Sequence, residues 1–206
     1  MSQMPYGQQQ FQQPAPRQFF PALNGAVPVT GGRQVLVWLL DGVIFGLPVA
    51  ILSFLCFLPM LFTIFSNIDK HAGSANVRHE NWSDAELSAF FTSLLVGLLL
   101  NGILMLAYYG VYWYLIAVKG RTPGMSIMGM RLVSVETGQP IGWGPAFLRG
   151  LVVVLGSGIT SGLLGLLFWL SPLFDSSTGW AQSWHDKMVK AVFIDTKAGR
   201  DTFVQQ

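Results

Sequence analysis

The chain has 206 residues, of which 51% are hydrophobic and 11% charged, with a formal net charge of +2. Soluble domains are about 25% charged, so this chain has too few charges to cover a water-facing surface. Its Lys and Arg residues are scattered, which gives no footprint for nucleic acid, and one cysteine, Cys56, leaves no internal disulfide and no thiolate metal cluster.

Residues 1–30 contain Gln8-Gln9-Gln10, Gln12-Gln13-Pro14 and Pro16, a composition that buries too little surface to offset backbone ordering and predicts a disordered tail. The tail has no apolar core of the kind a signal peptide needs, so no cleaved leader is expected. Residues 35–65 are apolar, with Asp41 as the one charge. They predict a first span at about 34–66, kinked or ended a turn early by Pro48 and Pro59. Residues 67–86 are polar and read as an extramembrane loop. His71 and His79 lie there near Glu80 and Asp84 at no recognisable metal spacing, so no metal is assigned.

Ser83-Asp84-Ala85-Glu86 fits a capping box and starts a second helix near Asp84. Residues 87–118 carry no charge and predict a span at about 86–118. After Lys119-Gly120-Arg121-Thr122-Pro123-Gly124, alternating apolar residues from Met130 to Ile141, broken by Glu136-Thr137-Gly138, predict a short β-hairpin at the membrane surface. This loop has Lys119, Arg121, Arg131 and Arg149 against Glu136, whereas the 67–86 loop is acidic on balance. The positive-inside rule therefore puts the hairpin and the N-terminus in the cytoplasm.

A third apolar block, at about 146–174, has two readings. It crosses once, or it turns back as a helical hairpin at Gly156, Ser157, Gly158, Ser161 and Gly162. Lys187, Lys190, Lys197 and Arg200, all C-terminal to the block, favour a cytoplasmic C-terminal end and hence the hairpin, although arms of about 18 Å are short for a full span. Gly42 with Gly46 and Gly158 with Gly162 match small-xxx-small spacing for close helix approach. Trp143, Trp180 and Trp184 read as interfacial anchors. The expected fold is an all-α integral membrane protein. It comprises a transmembrane domain at 31–196 with a small bundle of about three transmembrane helices, the short cytoplasmic β-hairpin, the disordered N-terminal tail and a C-terminal tail at 197–206.

Asp41 is the most informative position. A carboxylate within the hydrocarbon costs about 2.5–3.5 kcal/mol on insertion scales and usually faces the bundle interior with a partner. Arg33 is about 12 Å along the axis from it and about 80° round the helix, so Arg33 is expected to snorkel to headgroups instead. Matching depth on the second helix gives Tyr108 and Tyr109 as partners for Asp41. A carboxyl there that exists in both charge states makes a proton-carrying role physically possible.

Arg33 opening the first helix, Asp41 within it, Gly120-Arg121-Thr122-Pro123-Gly124-Met125 followed by Met130-Arg131-Leu132-Val133, and Ser183-Trp184-His185-Asp186-Lys187 together resemble the RDD family of bacterial membrane proteins. The resemblance covers about residues 31–196. It implies that Arg33, Asp41 and Asp186 are the arginine and two aspartates for which the family is named. It also marks Arg121, Thr122, Pro123 and Gly124 as candidate functional residues, with Met125 and Trp184 standing where the pattern has a basic residue and leucine. The resemblance carries the sodium/proton exchange proposed for some members.

No nucleophile and base arrangement appears, so no catalytic residue, enzyme activity or cofactor is expected. One expectation is a multi-pass protein of the plasma membrane that carries a small solute or exchanges cations for protons through Asp41. The alternative is a membrane scaffold or accessory subunit that binds a partner through its cytoplasmic loop and tail. Its surroundings are the lipid bilayer and either further copies of itself or another membrane protein.

Overall fold

The computed structural model describes residues 17–72, 82–175 and 177–203, the side chains of 69–72 excepted. The chain divides into two units, one made of residues up to Trp38 and from Leu115 onward, the other Leu39–Tyr114. The protein is mostly helical.

The second unit is built from the first two apolar blocks. Helix α1 (Gly31–Asp41) enters it at Leu39, passes through a π-helical turn (Gly42–Gly46) and continues as α2 (Leu47–Cys56), so Pro48 lies inside a continuous helix just past the π turn and leaves one helical hydrogen bond unmade. At Phe57 the helix breaks, and α3 (Leu58–Ala72) starts with Pro59 in its first turn. The first block is therefore two helical pieces meeting at Phe57, two residues before Pro59, where a kink or an early end was expected. Helix α4 (Asp84–Tyr114) packs against both α2 and α3. Gly97 faces the break, since a Cβ there would come within 2.9 Å of the Cys56 carbonyl oxygen and the Phe57 ring.

Ser83 forms the expected capping box, its Oγ accepting from the Glu86 N–H at 3.3 Å while its own N–H donates to Glu86 Oε2 at 2.9 Å. The helices Gly31–Cys56 and Asp84–Met128 are long and apolar enough to cross a membrane. Among the described residues nothing packs on the small-residue face expected at Gly42 and Gly46, since a Cβ at either would meet no atom within 4 Å outside its own helix. These glycines belong to the π turn. His79 and the side chain of His71 lie outside the described residues.

The first unit holds a sheet in the order β1-β3-β2, with β1 (Val27–Pro28), β2 (Met130–Ser134) and β3 (Ala191–Asp195). β3 pairs antiparallel with both neighbours. Val27 and Met130 both stand opposite Asp195, and Ser134 stands opposite Ala191. Pro28 lacks an N–H and fits the edge position. This sheet corrects the expected local hairpin. Past the Glu136 turn the chain makes two return bonds, from the Ser134 N–H to the Gln139 carbonyl and from the Gly138 N–H to the Ser134 carbonyl, both at 2.9 Å, and Pro140 then has no N–H to continue the ladder. The strand that does pair with β2 comes from about 60 residues later, where every residue of Ala191–Asp195 is buried.

Leu23, Val133, Trp180, Val192 and Ile194 form the core of this sheet, with Phe20, Ala26 and Val135 packed against it. Residues 17–30, expected to be disordered, thus form β1, a 3-10 turn (Pro21–Leu23) and part of that core. The earlier residues, with the glutamine runs, lie outside the described residues. Trp180 was expected at the interface but is 3% exposed, and its Nε1 donates to the Gln18 carbonyl at 2.9 Å.

Helix α5 (Pro123–Met128) runs into β2, and α6 (Trp143–Ile159) and α7 (Leu163–Leu170) form a helical hairpin. The turn is left-handed at Ser161 (φ 51°) and Gly162 (φ 94°), a conformation that glycine adopts without strain. Close approach of the two arms depends on Gly156 and Gly165, which a Cβ would push into Phe168 and Ser157 respectively. It does not depend on Gly158 and Gly162, which meet nothing within 4 Å. A short helix α8 (Trp184–Met188) leads into β3.

Candidate functional site

Ser183 caps α8, its Oγ accepting from the Asp186 N–H at 3.3 Å, which fixes Asp186 in the first turn. The Ser183 hydroxyl also donates to Asp186 Oδ2. Arg149, from the second turn of α6, donates through Nε to Asp186 Oδ1 at 2.6 Å, and the two residues are 3% and 0% exposed. His185, fully buried, has Nε2 at 3.3 Å from Ser183 Oγ and 3.7 Å from Asp186 Oδ1, and its Nδ1 has no hydrogen-bond partner.

Aromatic rings close the cluster. The Arg149 guanidinium lies 5.3 Å from the Trp169 centroid, Trp169 is 5.2 Å from the His185 ring, and Trp38 stacks on Trp169 at 5.9 Å. Burial pushes the His185 pKa down to about 4, with Asp186 opposing and Arg149 adding to the shift, so the imidazole is neutral near pH 7. Burial pushes the Asp186 carboxyl up, but Arg149, His185 and the Ser183 hydroxyl outweigh it and hold the carboxyl below its usual value. An aspartate so saturated with donors stays ionised, and the arrangement fixes α6 to α8.

Arg33 occupies a second ion pair. Its Nη1 donates to Asp195 Oδ2 and its Nη2 to the Met128 carbonyl at 2.7 Å, tying the start of α1 to the end of α5 and to β3. The expectation that Arg33 snorkels is corrected, because Asp195 is within its reach. Burial alone would raise the Asp195 carboxyl, but Arg33 together with the N–H groups of Lys197 and Ala198 holds it low.

Thr122 caps α5 by accepting from the Met125 N–H at 3.2 Å, and its own N–H donates to the Met125 sulfur at 3.5 Å. Pro123 fills the first helical position, and Thr122, Gly124 and Met125 are buried. Met125 thus completes a cap inside the protein, while Arg121 stays half-buried. Arg131, 1% exposed, donates to the Lys119 carbonyl at 2.7 Å and to Asp201 at 3.0 Å, under the Phe203 ring.

Asp41, Tyr108 and Tyr109 belong to the other unit. Asp41 is half-buried at the last position of α1, directly before the π turn. One turn on, Phe45 meets Tyr108 edge-on at 6.5 Å. Tyr108 leads a run of rings, 5.0 Å from Tyr109 and 6.4 Å from Tyr112, while Tyr109 stacks on Trp113 at 5.7 Å.

Of the nine candidate residues, Arg33 meets the end of α5 and Asp186 meets Arg149 in one unit, whereas Asp41, Tyr108 and Tyr109 belong to the other. Trp169 and Asp195 were not singled out from sequence, Arg149 entered only as a loop cation, and Ser183 and His185 only as part of the motif around Asp186. Arg149 carried a usable signal, being the one charged residue between Trp143 and Leu173. Among the described residues, no three His, Cys, Asp or Glu side chains converge as metal ligands.

The sequence model of the RDD family matches residues 28–190. No curated protein and no solved structure matches the chain.

Proposed function

Because this chain belongs to the RDD family, we propose that it is a multi-pass plasma-membrane protein, with its N-terminus in the cytoplasm, that moves a small solute or cation coupled to protons through Asp41. The observation that carries this reading is the position of Asp41 at the mouth of a π-helical turn, one helical turn before Phe45, which meets Tyr108 edge-on. A π turn inside an α-helix costs regular hydrogen bonding and is frequent at functional sites. An acid within an apolar helix is costly as well and is a functional candidate by default. The two features coincide here at adjacent residues. Asp41 supplies the group that gains and loses the proton, and the Tyr108 and Tyr109 phenols are the polar neighbours that tune it.

The test is flux in liposomes holding the purified protein, with a proton gradient imposed across them. The wild-type chain moves monovalent cations against the gradient, and Asp41→Asn brings flux to the level of empty liposomes. Equal flux from the two proteins, or none from the wild type, overturns the proposal.

A further inference from the structure

The three strands of the sheet are separated in the chain by its apolar blocks. β1 precedes the first long apolar helix, β2 follows the second, and β3 follows the α6–α7 hairpin. An open sheet with polar edges cannot reside in hydrocarbon, so all three strands lie on one side of a bilayer. The first two blocks, running out through α1–α3 and back through α4, satisfy that condition. The third block can satisfy it only by not crossing.

We infer that α6–α7 is a re-entrant hairpin that enters one leaflet from the side of the sheet and packs its outer faces against the acyl chains of that leaflet. This rests on the membrane reading above but not on transport through Asp41.

Length, polarity and the turn support this occupant. Residues 149–160 and Leu163–Leu173 each rise about 16 Å at helical pitch, close to half of a hydrocarbon core of about 30 Å. The Arg149–Asp186 pair lies at the base, and no charged residue occurs from 150 to 174. Ile159 is 83% exposed and Leu163 62% at the tip, and Leu155, Leu166 and Leu167 are exposed below them. A turn within lipid must satisfy its own backbone. Here the Thr160 N–H donates to the Gly156 carbonyl, Gly162 to Ser157, Leu163 to Thr160, and Leu164 to the Thr160 hydroxyl, at 2.7–3.3 Å. At the base, Trp143 and Trp184 are exposed near the ion pair, where indoles suit an interface.

Single cysteines introduced into the full chain test this, with Cys56→Ala as background. Ala85→Cys, Glu136→Cys, Ser161→Cys and Ala198→Cys are all at exposed positions. In sealed vesicles of one orientation, a membrane-impermeant maleimide labels Glu136→Cys and Ala198→Cys from the same side and Ala85→Cys from the other. Ser161→Cys labels from neither side until detergent is added, and a nitroxide there meets oxygen far more than a nickel chelate. Labelling of Ala198→Cys from the Ala85→Cys side, or of Ser161→Cys from either side in sealed vesicles, overturns the hairpin. Labelling of Ala85→Cys and Glu136→Cys from one side instead overturns the membrane reading on which it rests.

Discussion

The two units handle their acidic residues in opposite ways. In the first unit Asp186, Asp195 and Asp201 are each matched to an arginine, with Arg149, Arg33 and Arg131 donating to them in turn, and the pairs join elements far apart in the chain. In the second unit Asp41 stands at a helix irregularity, directly before the π turn. A saturated, permanently ionised carboxylate makes a fixed joint. Under the proposed function Arg33 and Asp186 maintain the frame, and Asp41 carries the proton.

Four substitutions break or sharpen this comparison. Arg149→Ala strands the Asp186 charge with no exposure to water, and breaking such a pair costs about 3–5 kcal/mol. A large drop in unfolding midpoint in detergent is expected, partly restored in the double variant Arg149→Met with Asp186→Leu. No drop would remove the fixed-joint reading.

A smaller effect comes from His185. Its imidazole binds a proton near pH 6.5 when unfolded but only near 4 when folded. As pH falls, the unfolded chain therefore binds the proton first, and stability present above about 6.5 is lost progressively down to about 4. The carboxyls of Asp186, Asp195 and Asp175, all held low, have the same sign but lose their contribution only below about pH 4. His185→Phe should flatten the upper part of a midpoint-against-pH curve and leave the lower part in place. Equal slopes in the two proteins would contradict the burial of a neutral imidazole.

Arg33→Ala removes an ion pair whose arginine is 32% exposed. The expected loss is about 1 kcal/mol, and raising the salt concentration shrinks the difference from wild type. Asp41→Asn should move the unfolding midpoint least of the four, even though it is the variant expected to abolish flux. A loss as large as that of Arg149→Ala would make Asp41 another joint.

Much of the helical layout could be read from the sequence. Asp41, Pro59 and the Ser83 capping box fall where local chemistry places them, since apolar length and first-turn preferences act over neighbouring residues. The sheet could not be read this way. β2 showed strand alternation, but its partner β3 is remote, and the nearby Glu136-Thr137-Gly138 turn favoured a local hairpin. Ala191-Val192-Phe193-Ile194-Asp195 does look like a short buried strand, although nothing in sequence says what it pairs with. The ion pairs escaped for the same reason. Arg149 and Asp186 are 37 residues apart and Arg33 and Asp195 are 162 apart. The RDD match ends at residue 190, so it does not reach Asp195 either.

The order β1-β3-β2 bears on how the protein is made. The two outer strands emerge from the ribosome first and have no bonds to offer each other, because their common partner emerges last of the three. The apolar helices must therefore be handed to the insertion machinery while both outer strands are open and Arg33 still awaits Asp195. Closure of the sheet then acts as a late checkpoint. A chain cut short before Ala191 would keep its membrane-inserting segments but expose unsatisfied strand edges, the kind of surface that proteolytic surveillance removes.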